Sequence, residues 1–272
     1  DVINREISKI YANEIESGDI STRESKTSDV KSFIKKEKSN MRDYADACFR
    51  YFRFTEMFVS DGRSIQIAPD KIPEIDYILE TVPREPTHID DITAFKNYLF
   101  DSAQPRLYTD DRSNLENTLM RYFSYSKREL IGKTIEELKD LRDSAVQAKR
   151  AAIIQKQTEE LKSYALYQEV IDTYNEILSD DVYDAPLFLE WNTWRAMTML
   201  DGGTIKGNFK IDDSGRPTST AQGNMPDIEC DYDNFALSVE VTLQRGQRQY
   251  ESEGEPVTRH YAQLQKATKK TT

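Results

Sequence analysis

Hydrophobic positions in this chain change their spacing along its length, and each change predicts an element. Between Asp29 and Phe49, Val30, Phe33, Ile34, Met41, Tyr44, Ala45 and Cys48 recur at helical spacing. The aromatic and branched run Arg50 to Val59 then reads as a strand, Asp61-Gly62 as a turn, and Ser64 to Ile67 alternates as a second strand. Pro69 opens a helix that runs through Ile78-Leu79. Helix, two-stranded wing and helix is the order of a winged-helix element.

Pro83, Pro86 and Pro105 punctuate a connection that carries a helix from Asp90 to Phe100, and a short helix follows from Ser113 to Ser124. From Ser126 the pattern turns polar and leads into a long helix, Glu136 to Lys162, with few large apolar residues, expected to act as a connector. Helical spacing strengthens from Tyr164 to Leu178, and a second helix runs from Pro186 to Leu200, where Asp201-Gly202-Gly203 stops it. Strands are predicted near 204–211, 225–230 and 235–244, then a helix starting near Pro256.

The predicted class is α+β, or mixed. It divides into a winged-helix-like region over 1–125 for DNA recognition or linkage, a helical connector over 126–160 and a second domain over 161–272.

Composition narrows this. Across 272 residues, 38% hydrophobic content supplies a packed core, and no run of about 18 apolar residues predicts a membrane span. Cys48 and Cys230 lie far apart without zinc or disulfide spacing, which reads as intracellular. The net charge of -11 argues against broad electrostatic attraction to nucleic acid. Its distribution is uneven: 171–255 holds 17 Asp/Glu against 6 Lys/Arg, and the remainder holds 31 of each. Lys31, Lys35, Lys36, Lys38 and Arg42 form the best basic stripe, for which a solvated helix face is the simpler account.

Inside the acidic segment, Pro226-Asp227 begins one predicted strand and Glu240 is central to the next, so pairing brings Asp227 and Glu240 to adjacent positions. Two hard oxygen donors facing one point suit Mg²⁺, which can activate water for attack on a phosphodiester. Glu229 shares the face of Asp227 and is an outer candidate. Trp191 and Trp194 at helical spacing read as core. Arg245, Arg248 and Arg259 are candidate phosphate contacts.

Pro-Asp on one strand and Glu-x-Thr on the next are similar to the PD-(D/E)xK nuclease core, with a mixed central sheet. The fuller order, Leu189-Glu190-Trp191-Asn192-Thr193-Trp194-Arg195-Ala196, Pro226-Asp227-Ile228-Glu229, Val239-Glu240-Val241-Thr242 and Arg259-His260, resembles the AlwI family of type IIS restriction endonucleases, which includes site-specific nicking enzymes. The resemblance is densest over 187–265.

It implies a Mg²⁺-dependent endonuclease that hydrolyses double-stranded DNA away from its recognition site, in the bacterial cytoplasm. Asp227 and Glu240 would hold the metal, Glu190 would complete the acidic cluster, and the Val241 carbonyl would be a further ligand. Glu253 and His260 match acid and histidine positions of the family, with His260 suited to relaying a proton. Many such nucleases carry Lys two residues after the Glu. Thr242 stands there instead, a departure the family shares, which shifts that work to His260 or a second metal.

Double-strand cleavage implies a second nuclease subunit or a transient dimer. The chain opens with Asp1 inside an amphipathic pattern, and its polar end, Lys266 to Thr272, comes where a covering strand would follow. We therefore expect the C-terminal portion of a longer enzyme whose nuclease domain is itself incomplete. The main alternative is a non-catalytic DNA-binding or regulatory fragment of such an enzyme; a glycosidase using paired carboxylates fits the strand pairing poorly.

Overall fold

The computed structural model describes residues 2–20, 29–85, 89–101, 106–179, 181–200, 202–268 and 270. Pro86, Pro105 and Asp201 lie outside them. The chain runs through α1 (Val2–Ile10), α2 (Ala12–Ser17), α3 (Val30–Phe54), the hairpin β1 (Phe58–Ser60) and β2 (Ile65–Ile67), α4 (Ile72–Thr81), α5 (Ile92–Leu99), α6 (Arg112–Tyr122), α7 (Lys127–Leu130), α8 (Ile135–Lys162), α9 (Tyr167–Leu178) and α10 (Ala185–Leu200). The rest consists of β3 (Thr204–Gly207), β4 (Lys210–Ile211), β5 (Pro217–Ser219), β6 (Ile228–Asp231), β7 (Ala236–Val239) and α11 (Gln247–Thr268). Helices with small antiparallel sheets make this an α+β structure.

The hairpin forms where the turn residues demand it. Asp61 Oδ1 accepts from the backbone N–H groups of Arg63 and Ser64, Gly62 takes φ +86°, and Phe58 to Ser60 pair with Ile67 to Ile65. The expected strand Arg50 to Val59 is instead helical as far as Phe54. Its aromatic composition suits a strand, but tertiary contacts decide: Arg42, Asp46, Phe49 and Arg53 lie on one side of α3 at helical spacing, and all four meet residues 182–184.

Two apolar clusters organise the chain. Leu115 and Leu119 of α6 pack with Leu130 of α7 and Leu138 of α8. The larger cluster gathers Leu161, Val170, Phe188, Trp191, Trp194 and Ile228, with further residues of α9, α10 and β6. α8 serves both, with Leu138 near one end and Leu161 near the other. The polar run from Ser126 is broken ahead of α8 by Gly132 at φ +82°, which makes α7 a separate short helix. α10 is buried on nearly every side, between α8, α9 and β3, and both tryptophans are core residues, each 1% exposed.

The central sheet has the order β3-β6-β7 and is antiparallel throughout, not mixed. The strand expected over 204–211 is split. Asn208 leaves the ladder, its side chain donating to the Pro226 carbonyl and to Glu229, so β4 pairs with β5 as a separate two-stranded piece. β6 and β7 are shorter than 225–230 and 235–244 predicted, and a tight connection from Tyr232 to Phe235 joins them. α11 begins at Gln247, nine residues before Pro256, which lies inside it. Proline favours the first turn of a helix, but here the amphipathic face that buries His260 and Leu264 carries the helix past it.

Candidate active site

The ladder of β6 and β7 ends with Ile228 opposite Val239. One step further in the same register sets Asp227 opposite Glu240, on the face they share with Glu229 and Ser238. Glu240 thus follows the end of β7 and is not central to a strand. Asp227 is held in place because its Oδ2 accepts from the Val241 N–H at 2.7 Å, which continues the strand contact with a side chain after the backbone ladder has stopped.

Glu190 approaches from α10. It is 3% exposed, and its Oε1 accepts from the Ala221 N–H at 3.0 Å. It is neither exposed nor paired with Arg195, one turn and a residue further along the helix. Arg195 stacks over Trp191 and bonds Glu169 at 2.8 Å and Asn192 at 3.2 Å.

His260 comes from α11, 5% exposed, with Nδ1 2.6 Å from Glu240 Oε1. An ionised carboxylate can only accept, so with Glu240 charged the proton would sit on Nδ1, and the acid orients the ring. Nε2 is buried without a hydrogen-bond partner. Glu253, two turns earlier on α11, is half-buried and acts on Asp227 through its charge.

The electrostatics follow from burying acids together. Burial, reinforced by the charges of Asp227 and Glu240, pushes the Glu190 carboxyl up to about 8. Burial also lifts Asp227 to about 6, with Glu240 and Glu253 adding to the rise while the Val241 N–H and His260 oppose it. A neighbourhood in which carboxyls resist losing their protons is one that a divalent cation would relieve, and the donors are the hard oxygens such a cation prefers. Among the described residues no three His, Cys, Asp or Glu side chains converge closely enough to hold a metal as they stand. One oxygen of Glu190 and one of Glu240 are already engaged, by Ala221 and His260.

The other candidates separate. Glu229 Oε1 accepts from Asn208 at 2.9 Å and lies 3.8 Å from Lys206 Nζ, so it is turned to the β3 side of the sheet. Thr242 Oγ1 accepts from the Gln244 N–H. Arg259 is paired with Glu255 at 2.9 Å, while Arg245 and Arg248 are exposed. Lys31, Lys35 and Lys38 are exposed beside Asn4 of α1, and Arg42 donates to the Val182 carbonyl. Residues that pattern reading passed over are Ala221, whose N–H holds Glu190, and Asp184, which leads into α10. The Asp-Ala-Pro sequence at 184–186 is a helix-start signature that marks the latter.

The sequence matches the AlwI restriction endonuclease family over residues 2–272. The chain belongs to this family. A solved structure similar to part of this AlwI-family chain is the crystal structure of the small subunit (R.BspD6I2) of the heterodimeric restriction endonuclease R.BspD6I. The identity is 34%, over 37% of this chain and 53% of that one, with a TM-score of 0.34. The chain spans about half the length of that subunit. Comparison with curated proteins found no match. Among the described residues no helix is long and apolar enough to cross a membrane.

Proposed function

We propose that this chain provides the catalytic part of a site-specific restriction endonuclease that hydrolyses phosphodiester bonds of double-stranded DNA with Mg²⁺. The observation that carries this reading is that Asp227 and Glu240, opposite each other on a strand pair, lie within range of each other's charge and of Glu190 on a buried helix, with two of the three held reluctant to ionise.

In this reading Asp227, Glu240 and Glu190, with the Val241 carbonyl, would hold the ion, and Glu253 and His260 would complete the machinery. Bound there, Mg²⁺ supplies positive charge for the phosphorane and the leaving oxygen, and a more acidic water. The protein's own part is positional. The Val241 N–H fixes Asp227, Ala221 fixes Glu190, and His260 aligns Glu240; its second nitrogen, buried and without a partner, could exchange a proton only once substrate or water is admitted beside it. Exposed Arg245 and Arg248, just past β7, suit phosphate contacts.

As in the type IIS enzymes the sequence resembles, the helix-hairpin-helix region near 30–81 would contribute to recognition. A second nuclease centre, from a partner subunit or a transient dimer, would convert nicking into double-strand cleavage. A non-catalytic DNA-binding or regulatory role has one observation in its favour: Glu240 is already engaged by His260, and the acids do not converge as they stand.

Conversion of supercoiled plasmid by the purified chain with Mg²⁺ separates the two. Open-circular or linear product, lost with EDTA and in both Asp227→Ala and Glu240→Ala, is expected. Folded protein that leaves the plasmid intact across divalent metals would favour the non-catalytic role.

A further inference from the structure

The start of α10 is gripped from one side in a way its own sequence does not require. Arg53 of α3 is 2% exposed and pairs with Asp184, which immediately precedes α10 and is 9% exposed. On the same side of α3, Asp46 Oδ1 accepts from the Asp184 N–H at 3.3 Å, Arg42 donates to the Val182 carbonyl at 3.1 Å, and Phe49 stacks on Tyr183 with ring centres 4.5 Å apart. The hairpin joins in: the Tyr183 N–H donates to the Gly62 carbonyl at 2.7 Å, and Gly62 lies so close to Phe188 that an added Cβ would sit 2.9 Å from its ring.

Asp184 itself has φ +55°, a left-handed conformation unusual for a residue with a side chain. Such a backbone persists only where its surroundings over-determine it, and these cluster at sites that need fixed geometry. A buried ion pair is also a poor way to gain stability, since an apolar pair of the same volume commonly serves as well. The arrangement is better explained by position than by stability.

The position it sets is that of Glu190. Six residues of helix, roughly 9 Å of rise, separate Asp184 from Glu190, and α10 between them is packed on nearly all sides, so the segment moves as a unit. The charge of Asp184 also reaches Glu190.

We propose that Arg53 is a positioning residue for the candidate active site: through Asp184 it ties the α3-hairpin unit to the helix that carries Glu190. This rests on the reading of Glu190 as part of a nuclease centre. Whatever the α3-hairpin unit binds would then bear on the geometry of the acids.

The test uses the full chain and supercoiled plasmid with Mg²⁺. Arg53→Ala alone strands the charge of buried Asp184 and confounds position with folding, so the informative variant is Arg53→Met combined with Asp184→Asn, which removes the charges while keeping volume. We expect the rate at saturating DNA to fall about 10- to 100-fold, the half-saturating DNA concentration to stay within about twofold, and Arg53→Lys to regain most of the rate. Gly62→Ala, pressing on Phe188 from the hairpin, should lower the same rate, and Lys156→Ala, which breaks an exposed pair with Glu160 on α8, should not.

Both tryptophans lie on α10, so their emission reads its setting directly. A folded double variant with unchanged rate, or one that loses only DNA affinity, overturns the proposal. If the parent chain cleaves nothing, the nuclease reading fails. The positional claim is then decided by fluorescence: a shifted emission in the double variant, reversed in Arg53→Lys, supports it, and an unchanged emission overturns it.

Discussion

Replacing Glu190 with glutamine should stabilise the metal-free protein, by an amount that grows with pH. The side chain is 3% exposed and its carboxyl is raised from 4.5 to about 8. Between those values the unfolded chain gives up the proton and the folded chain keeps it. Rising pH therefore favours unfolding, by about 1.4 kcal/mol for each unit. The penalty is absent below the unfolded value and complete above the folded one. Its ceiling is about 5 kcal/mol; local relaxation and water reaching the cleft should bring the recoverable part to about 2 kcal/mol.

Glutamine keeps the oxygen that accepts from Ala221 and removes the titration. Urea unfolding in EDTA, followed by tryptophan emission, reports on the core that holds the site, because both indoles lie on α10. Parent and variant should coincide near the unfolded carboxyl value. They should diverge by roughly 1 M in midpoint near pH 8. Saturating Mg²⁺ should close much of that gap by stabilising the parent more. A difference that does not change with pH, or a variant less stable than its parent at high pH, would refute the claim that buried like charge dominates this cluster.

Three further outcomes follow from other contacts. His260→Ala should lower the cleavage rate about 10²- to 10⁴-fold with DNA binding retained; an unchanged rate in single-turnover assays would remove His260 from the machinery. Gly203→Ala should cost about 1 to 3 kcal/mol, because the new Cβ would lie 2.7 Å from the Asp231 carbonyl oxygen, part of a paired strand that cannot yield; thermal unfolding measures it. Pro256→Ala should raise stability by about 1 to 3 kcal/mol by restoring a helical hydrogen bond; a lower melting temperature would mean that Pro256 is needed to seat His260 against Glu240.

Much of this molecule was legible where local chemistry and tertiary packing agree. The Asp61-Gly62 turn, the helix from Pro186 and the apposition of Asp227 with Glu240 follow from turn residues, periodicity and antiparallel pairing. Reading failed where packing overrode composition. Tyr51-Phe52-Arg53-Phe54 has strand character yet continues α3, because Arg53 and Phe49 find their partners only at helical spacing. Pro256 looked like a helix start and is an interior residue. Asn208 gave no sign that it would divide a strand, since the carbonyl of Pro226 and the carboxylate of Glu229 that capture it come 18 and 21 residues later. The place of Glu190 within the acidic cluster came from family resemblance and not from pattern, because an acid in an amphipathic helix reads by default as solvated.

The connection from β6 to β7 imposes a parity rule on variation. Asp227 and Glu240 face each other because the two strands are in a register whose partners are fixed by the short turn from Tyr232 to Phe235, closed by one backbone hydrogen bond and by the stacked rings of those two residues. A change in that turn that slipped the pairing by one position would carry Glu240 to the opposite side of the sheet, away from Asp227, His260 and Glu190 together. A slip of two would keep the side and misplace the acid along the strand by nearly 7 Å. Length at this exposed corner is therefore constrained as tightly as identity at the acids, although none of the four turn residues touches them, and insertions during divergence should be found elsewhere in the chain.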